Sequence, residues 1–127
     1  MSKIKENWEY YGENDPYFAV ATFDKFKKTN LTEQAKEEFF QTGEEHIEKV
    51  WNEIQRHFIE NFRPKRSLDF GCGVGRLVIP LSERSDEVVG VDISDLMLEE
   101  AQKNCRARNI ENVGFSQTDK FFADEKG

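Results

Sequence analysis

The spacing of apolar positions changes once along this 127-residue chain. In the first part it is helical. Ile47, Val50, Trp51, Ile54 and Phe58 recur at intervals of three and four, the signature of one buried helix face. Thr42-Gly43-Glu44-Glu45 has the form of a capping box ahead of that stripe, which predicts a helix start at Thr42. Pro64 is the predicted stop, and a separate, earlier helix is predicted near Thr32 to Phe40. The segment WEYYGENDPYFAV, residues 8–20, carries turn chemistry in Asn14-Asp15-Pro16. Its aromatics fit either ordinary packing or a lid over a ligand.

Beyond Pro64 the apolar runs shorten and become β-branched. Ser67–Phe70 reads as a strand that runs straight into glycines. A helix is predicted from Gly75 to about Ser85 through Leu77, Val78 and Leu81, with Pro80 either in its first turn or kinking it. Glu87–Asp92 is a second strand, and Ser94 is an N-cap for the helix that follows, with Leu98 and Ala101 facing inward. Asn109 suits a left-handed helix terminator. Val113–Thr118 is a third strand, closed by Asp119. Strand, helix, strand, helix, strand implies parallel pairing with right-handed crossovers. The expected fold class is α/β: a Rossmann-like parallel sheet of about three strands, preceded by N-terminal helices. The expected division is residues 1–62, a helical segment packing on or capping the ligand site, and residues 63–127, a partial Rossmann-like domain.

Charge narrows the partners. Lys and Arg number 18 against 25 Asp and Glu, a formal net charge of −7. Such a surface is a poor match for a phosphate backbone, so nucleic acid is not an expected partner. Cys72 and Cys105 form no CxxC and join no Cys/His cluster, which argues against a disulfide framework and against a metal site. Reduced thiols suit a cytoplasmic protein. The opening MSKIKENWEYYGEN is too polar for a secretory leader, and no apolar run approaches the ~20 residues that cross a bilayer.

The chemistry concentrates at LDFGCGVGR, residues 68–76. Glycines here permit a tight strand-to-helix turn and close approach of a ligand to main chain. In a parallel sheet, ligands bind beyond the carboxyl ends of the strands. The glycine loop, Asp92 and Asp119 all lie at such ends. Asp92 stands 21 positions after Gly71, the separation at which a carboxylate accepts both hydroxyls of a ribose. A nucleoside-containing cofactor follows. A dinucleotide fingerprint GxGxxG would need glycine at position 76, where the chain has Arg76. That disfavours a nicotinamide-dependent oxidoreductase.

The spacing GxGxG after Asp69 resembles motif I of the class I S-adenosylmethionine-dependent methyltransferases. The resemblance continues through VVGVDIS (88–94), MLEEA (97–101) and NVGFSQTD (112–119), and YGENDPYFAV resembles one bacterial branch less specifically. It implies S-adenosyl-L-methionine as cofactor and methyl transfer as the activity. It implies that Gly71, Cys72 and Gly73 line the methionine portion with backbone, and that Asp69 sits near its amino group. Asp92 would bind the ribose hydroxyls, Ile93 and Met97 would pack on the adenine, and Asp119 would accept from the adenine amino group beside the Lys120 backbone.

Plainer roles remain open for several of these. Asp69 also fits a loop-fixing residue, Asp119 a solvated strand end, and Met97 a core residue. Cys72 reads as a turn-tolerant small residue and no nucleophile. His46 and His57 lack partner motifs for metal or acid–base work. The resemblance implies that acceptor-side residues lie after the third strand, so no catalytic residue or acceptor is named, although a small molecule is favoured. The chain is expected to be the cofactor-binding half of the enzyme, with an inactive cofactor-binding or regulatory module as the alternative. The family's fourth strand would pair with strand one. Without it strand one exposes an edge, which a second copy, a partner chain or the N-terminal helices would cover; a homodimer is favoured.

Overall fold

A computed structural model of the chain describes residues 2–17, 26–27 and 30–126. Its elements in order are α1 (Ser2–Asn14), α2 (Glu33–His57), β1 (Arg66–Phe70), α3 (Val78–Arg84), β2 (Glu87–Asp92), α4 (Asp95–Ala107), β3 (Val113–Gln117) and α5 (Thr118–Lys126). The strands form a parallel sheet in the order β1-β2-β3, with Leu68 opposite Val89 and Val89 opposite Gly114. This is the expected α/β architecture. Residues 18–20 of the aromatic segment lie outside the described residues.

Strand alternation sorts the side chains onto two faces. Val88, Val113 and Phe115 face α3 and α4, and join a core with Val78, Ile79, Leu81, Leu98 and Cys105. Gly90 lies in that same row, where an added Cβ would meet the Phe115 ring at 2.9 Å. The opposite face carries Leu68 and Phe70. The α5 helix covers only part of it: Phe122 stacks against Phe70 at 5.8 Å between centroids, yet Leu68 and Phe70 remain 53% and 55% exposed. β1 is therefore an edge strand with an uncovered apolar row.

Two predicted helices are one. The capping box at Thr42 does not form. The Thr42 hydroxyl donates back to the Phe39 carbonyl at 2.6 Å, and the cap of α2 is Thr32, whose oxygen accepts from the Ala35 amide at 3.0 Å. The helix runs through Gly43 because contact there favours it. A Cβ on Gly43 would land on the Arg76 carbonyl, and Glu44 pairs with Arg84 of α3 at 2.7 Å. α2 also ends at His57, well before Pro64. Helix α3 is shorter than expected, starting late enough to place Pro80 in its first turn, where its missing amide costs nothing. Asp119 does not close β3 but lies in the first turn of α5, whose leading amides are capped by Gln117 Oε1, 2.8 Å from the Asp119 nitrogen. The Ser94 cap and the left-handed Asn109 (φ 57) stand as predicted.

Candidate functional site

The carboxyl ends of the three strands open into one cavity of about 610 Å³, well inside the range of small-molecule pockets. Each tip contributes. Phe70, Gly71 and Gly73 come from the end of β1 and the loop after it, Asp92 and Ile93 from the end of β2 with Met97 from the first turn of α4, and Thr118 and Phe122 from α5, which follows β3 directly. Ile4 and Trp8 of α1 supply a further wall.

The floor is shaped by the glycine loop. Gly71, Gly73 and Gly75 have φ of 81°, 53° and 101°, the region that side chains disfavour. A Cβ at Gly71 would meet nothing within 4 Å, so the main chain there faces open space. The loop is held from several directions. The Gly71 and Cys72 amides donate to the Val91 carbonyl at 2.7 and 2.9 Å, extending the β1–β2 pairing past its last residue. Buried Asn104 of α4 donates to the Val74 carbonyl at 2.9 Å and also bonds the Tyr17 hydroxyl.

Asp92 is 8% exposed and joins two tips through its carboxylate. One oxygen accepts from the Gly73 amide at 2.8 Å, the other from the Ser94 amide at 3.0 Å. Each oxygen keeps a further lone pair, so the group can still accept from a ligand hydroxyl. Met97 is fully buried and lies on the wall nonetheless. Thr118 is the β3-tip residue on the wall, whereas Asp119 and Lys120 are exposed.

Asp69 and Cys72 do not line the cavity; the Cys72 sulfur points instead towards β2, 3.1 Å from where a Cβ on Gly90 would lie. Burial pushes the Asp69 carboxyl up; Arg76 opposes the shift and Asp92 adds to it. An acid kept where ionisation costs energy is a common feature of functional sites. Burial also raises the Cys72 thiol, helped by Asp92 and Asp69, which leaves it without nucleophilic character. His46 and His57 lie on α2, and His57 pairs with Glu53 at 3.1 Å.

Open glycine main chain, a buried carboxylate and apolar residues at three adjoining tips suit an adenosyl ligand. The match to known proteins falls on the same stretch: residues 68–124 match the family described as "Methyltransferase domain". This stretch is similar to a methyltransferase domain, in keeping with the resemblance of its motifs to the class I S-adenosylmethionine-dependent methyltransferases. Among curated relatives, an uncharacterized RNA methyltransferase of Aquifex aeolicus is 32% identical over 90% of this chain. The 23S rRNA (uracil(1939)-C(5))-methyltransferase RlmD of Alcanivorax borkumensis is 40% identical over 41% of it. The chain spans 21% and 12% of the length of these two relatives. In fold it is similar to magnesium protoporphyrin IX methyltransferase of Synechocystis, with TM-score 0.59 and 23% identity, covering 91% of this chain and 50% of that one. The methyltransferase match takes in the glycine loop, Asp92 and Met97 but stops short of α1.

Ile4, Trp8 and Phe122 are cavity residues outside every motif, and Phe70 and Thr118 lie within motifs that assign them no role. For α1 the available signal is Ile4, Trp8 and Tyr11 at helical spacing in an otherwise polar stretch. No helix among the described residues is long and apolar enough to cross a membrane.

Proposed function

We propose that this chain binds S-adenosyl-L-methionine across the tips of β1, β2 and β3 and serves methyl transfer to an acceptor. The observation that carries the reading is the shared cavity: Gly71 and Gly73, Asp92 and Ile93, and Thr118 come from three separate loops yet line one space. The fit is good on its chemistry. Main chain at the glycines offers close approach, the Asp92 carboxylate accepts hydroxyls, and Ile93 and Met97 offer apolar contact to a base. Asp69, two residues before Gly71, suits the cofactor's amino group directly or through water. Asp119 and Lys120 flank the adenine edge from the start of α5. When bound, the cofactor supplies an electrophilic methyl group, and the protein's part is to hold it, orient it and exclude water.

For the acceptor we favour a small molecule. The largely apolar wall and the formal charge of −7 support this, while the RNA methyltransferase names of two relatives weigh the other way. Residues 1–62 are read as the segment that caps the site, and the two buried thiols suit a cytoplasmic protein. The exposed edge of β1 supports self-pairing of two copies. Sedimentation should show a dimer that Leu68→Lys converts to monomer; a wild-type monomer contradicts it.

Calorimetric titration with S-adenosylmethionine, S-adenosylhomocysteine and NAD tests the cofactor. Binding of the first two and not the third is expected, and preference for NAD overturns the proposal. Transfer of labelled methyl to small molecules and to RNA then separates an enzyme from a binding module and one acceptor class from the other.

A further inference from the structure

The α1 helix belongs to none of the three strand–loop units, yet two of its side chains line the cavity. Ile4 and Trp8 are one helical turn apart and so share a face. Both line the cavity and both remain exposed, at 55% and 39%. The next turn explains why the helix lies there. Gly12 sits against the start of α4: an added Cβ would come within 2.9 Å of Leu96 Cβ, 3.0 Å of Ser94 Oγ and 3.3 Å of the Met97 nitrogen. Only glycine allows α1 to approach the first turn of α4 this closely. The Lys5–Asp95 pair at 4.0 Å links the same two helices but is exposed and contributes little. Gly12 therefore seats α1 on the turn that follows Asp92 and Ile93 and carries Met97. That seat brings the preceding turn of α1, with Trp8, over the tip of β2.

We propose that α1 is a working part of the binding site: Trp8 is a ligand-contacting residue that lays its indole against the adenosyl group, and Gly12 is the positioning residue that holds it there. The inference rests on the reading of the cavity as an adenosyl pocket. A flat indole suits a purine because every base offers a π face for stacking. The alternative of plain packing fits poorly. A core tryptophan is buried, as Trp51 is on α2 at 9% exposure, whereas Trp8 borders open volume.

The test uses the full chain and S-adenosylhomocysteine, by calorimetry and tryptophan fluorescence. Trp8→Ala should weaken binding roughly ten-fold, the scale of one aromatic–base contact. Trp8→Phe should restore most of that affinity and abolish the ligand-induced fluorescence change. Gly12→Leu retains the indole but unseats the helix, and should weaken binding as much as Trp8→Ala. Unfolding midpoints in urea identify any variant that fails to fold, and the remaining two then decide. If wild type binds and Trp8→Ala or Gly12→Leu binds equally tightly, the role of α1 is overturned while the pocket stands. If wild type does not bind at all, the pocket reading falls and this inference with it.

Discussion

Replacing Asp92 by alanine probes the join between the glycine loop and the second strand tip. In the folded chain its carboxylate is the acceptor for the Gly73 and Ser94 amides. Hydrogen bonds to a charged group contribute about 1.5–3 kcal/mol each, and a buried donor left without a partner costs about 1–3 kcal/mol. Two such hydrogen bonds would total about 3–6 kcal/mol, but the cavity adjoins the site and lets water reach at least one of the freed amides. A destabilisation of about 3 kcal/mol is expected, which in a domain this size lowers Tm by roughly 10 °C. Asp92→Asn keeps one acceptor oxygen and should lose about half as much. Urea unfolding followed by circular dichroism measures both. The same substitution removes the acceptor proposed for the ribose, so affinity for S-adenosylhomocysteine should fall by a further ~1.5–3 kcal/mol. If Asp92→Ala unfolds within about 0.5 kcal/mol of wild type, the range of an ordinary surface change, the carboxylate is not the tie described here.

Gly43→Val should cost about 3 kcal/mol or more in urea unfolding, because overpacking forces α2 away from the Arg76 carbonyl; a tolerated valine would contradict that close approach. Burial raises the Cys72 and Cys105 thiols above 9.0 and the Tyr17 hydroxyl above 10.0, so these groups keep their protons in the folded chain after the unfolded chain has released them. Their contribution is complete below the ordinary thiol value and fades above it, so the urea midpoint should drop between about pH 8 and about pH 10.5. A flat profile there, or rapid labelling of both thiols in the native protein, would refute the burial. Asp69 is also shifted upward, so at neutral pH its ionised form opposes folding. Asp69→Asn should raise the urea midpoint while weakening S-adenosylhomocysteine binding. A variant that is both less stable and unchanged in affinity would assign Asp69 to the loop's structure alone.

The elements legible in the sequence are those whose signals are local. β2 combines a run of buried valines with an acidic end, and its limits are read directly as Glu87–Asp92. Ser94 and Asn109 act through their own backbone geometry, so residue type alone identifies them. Long-range contact defeats the same logic elsewhere. Thr42-Gly43-Glu44-Glu45 has the form of a helix start, but Gly43 is required by Arg76, 33 positions away, and Glu44 by Arg84, 40 positions away. The candidate site divides the same way. The glycine loop and Asp92 follow from spacing. Asn104, which bolts that loop to α4 and to Tyr17, has no motif around it. Ile4 and Trp8 reach the cavity only because Gly12 fits against Ser94 and Leu96, a contact between segments some 80 positions apart. Phe122 lies in no motif, and its place at the cavity depends on α5 bringing its ring within 5.8 Å of Phe70.

One adenosyl ligand spanning three strand tips must perturb all three at once. Titrating isotope-labelled protein with S-adenosylhomocysteine and following backbone amides by NMR tests it directly. Gly71, Gly73, Ile93 and Thr118 are expected to shift together with a single dissociation constant, while amides on the solvent side of α2 stay in place. Shifts confined to one tip, or gathered on the exposed face of β1 instead, would contradict it.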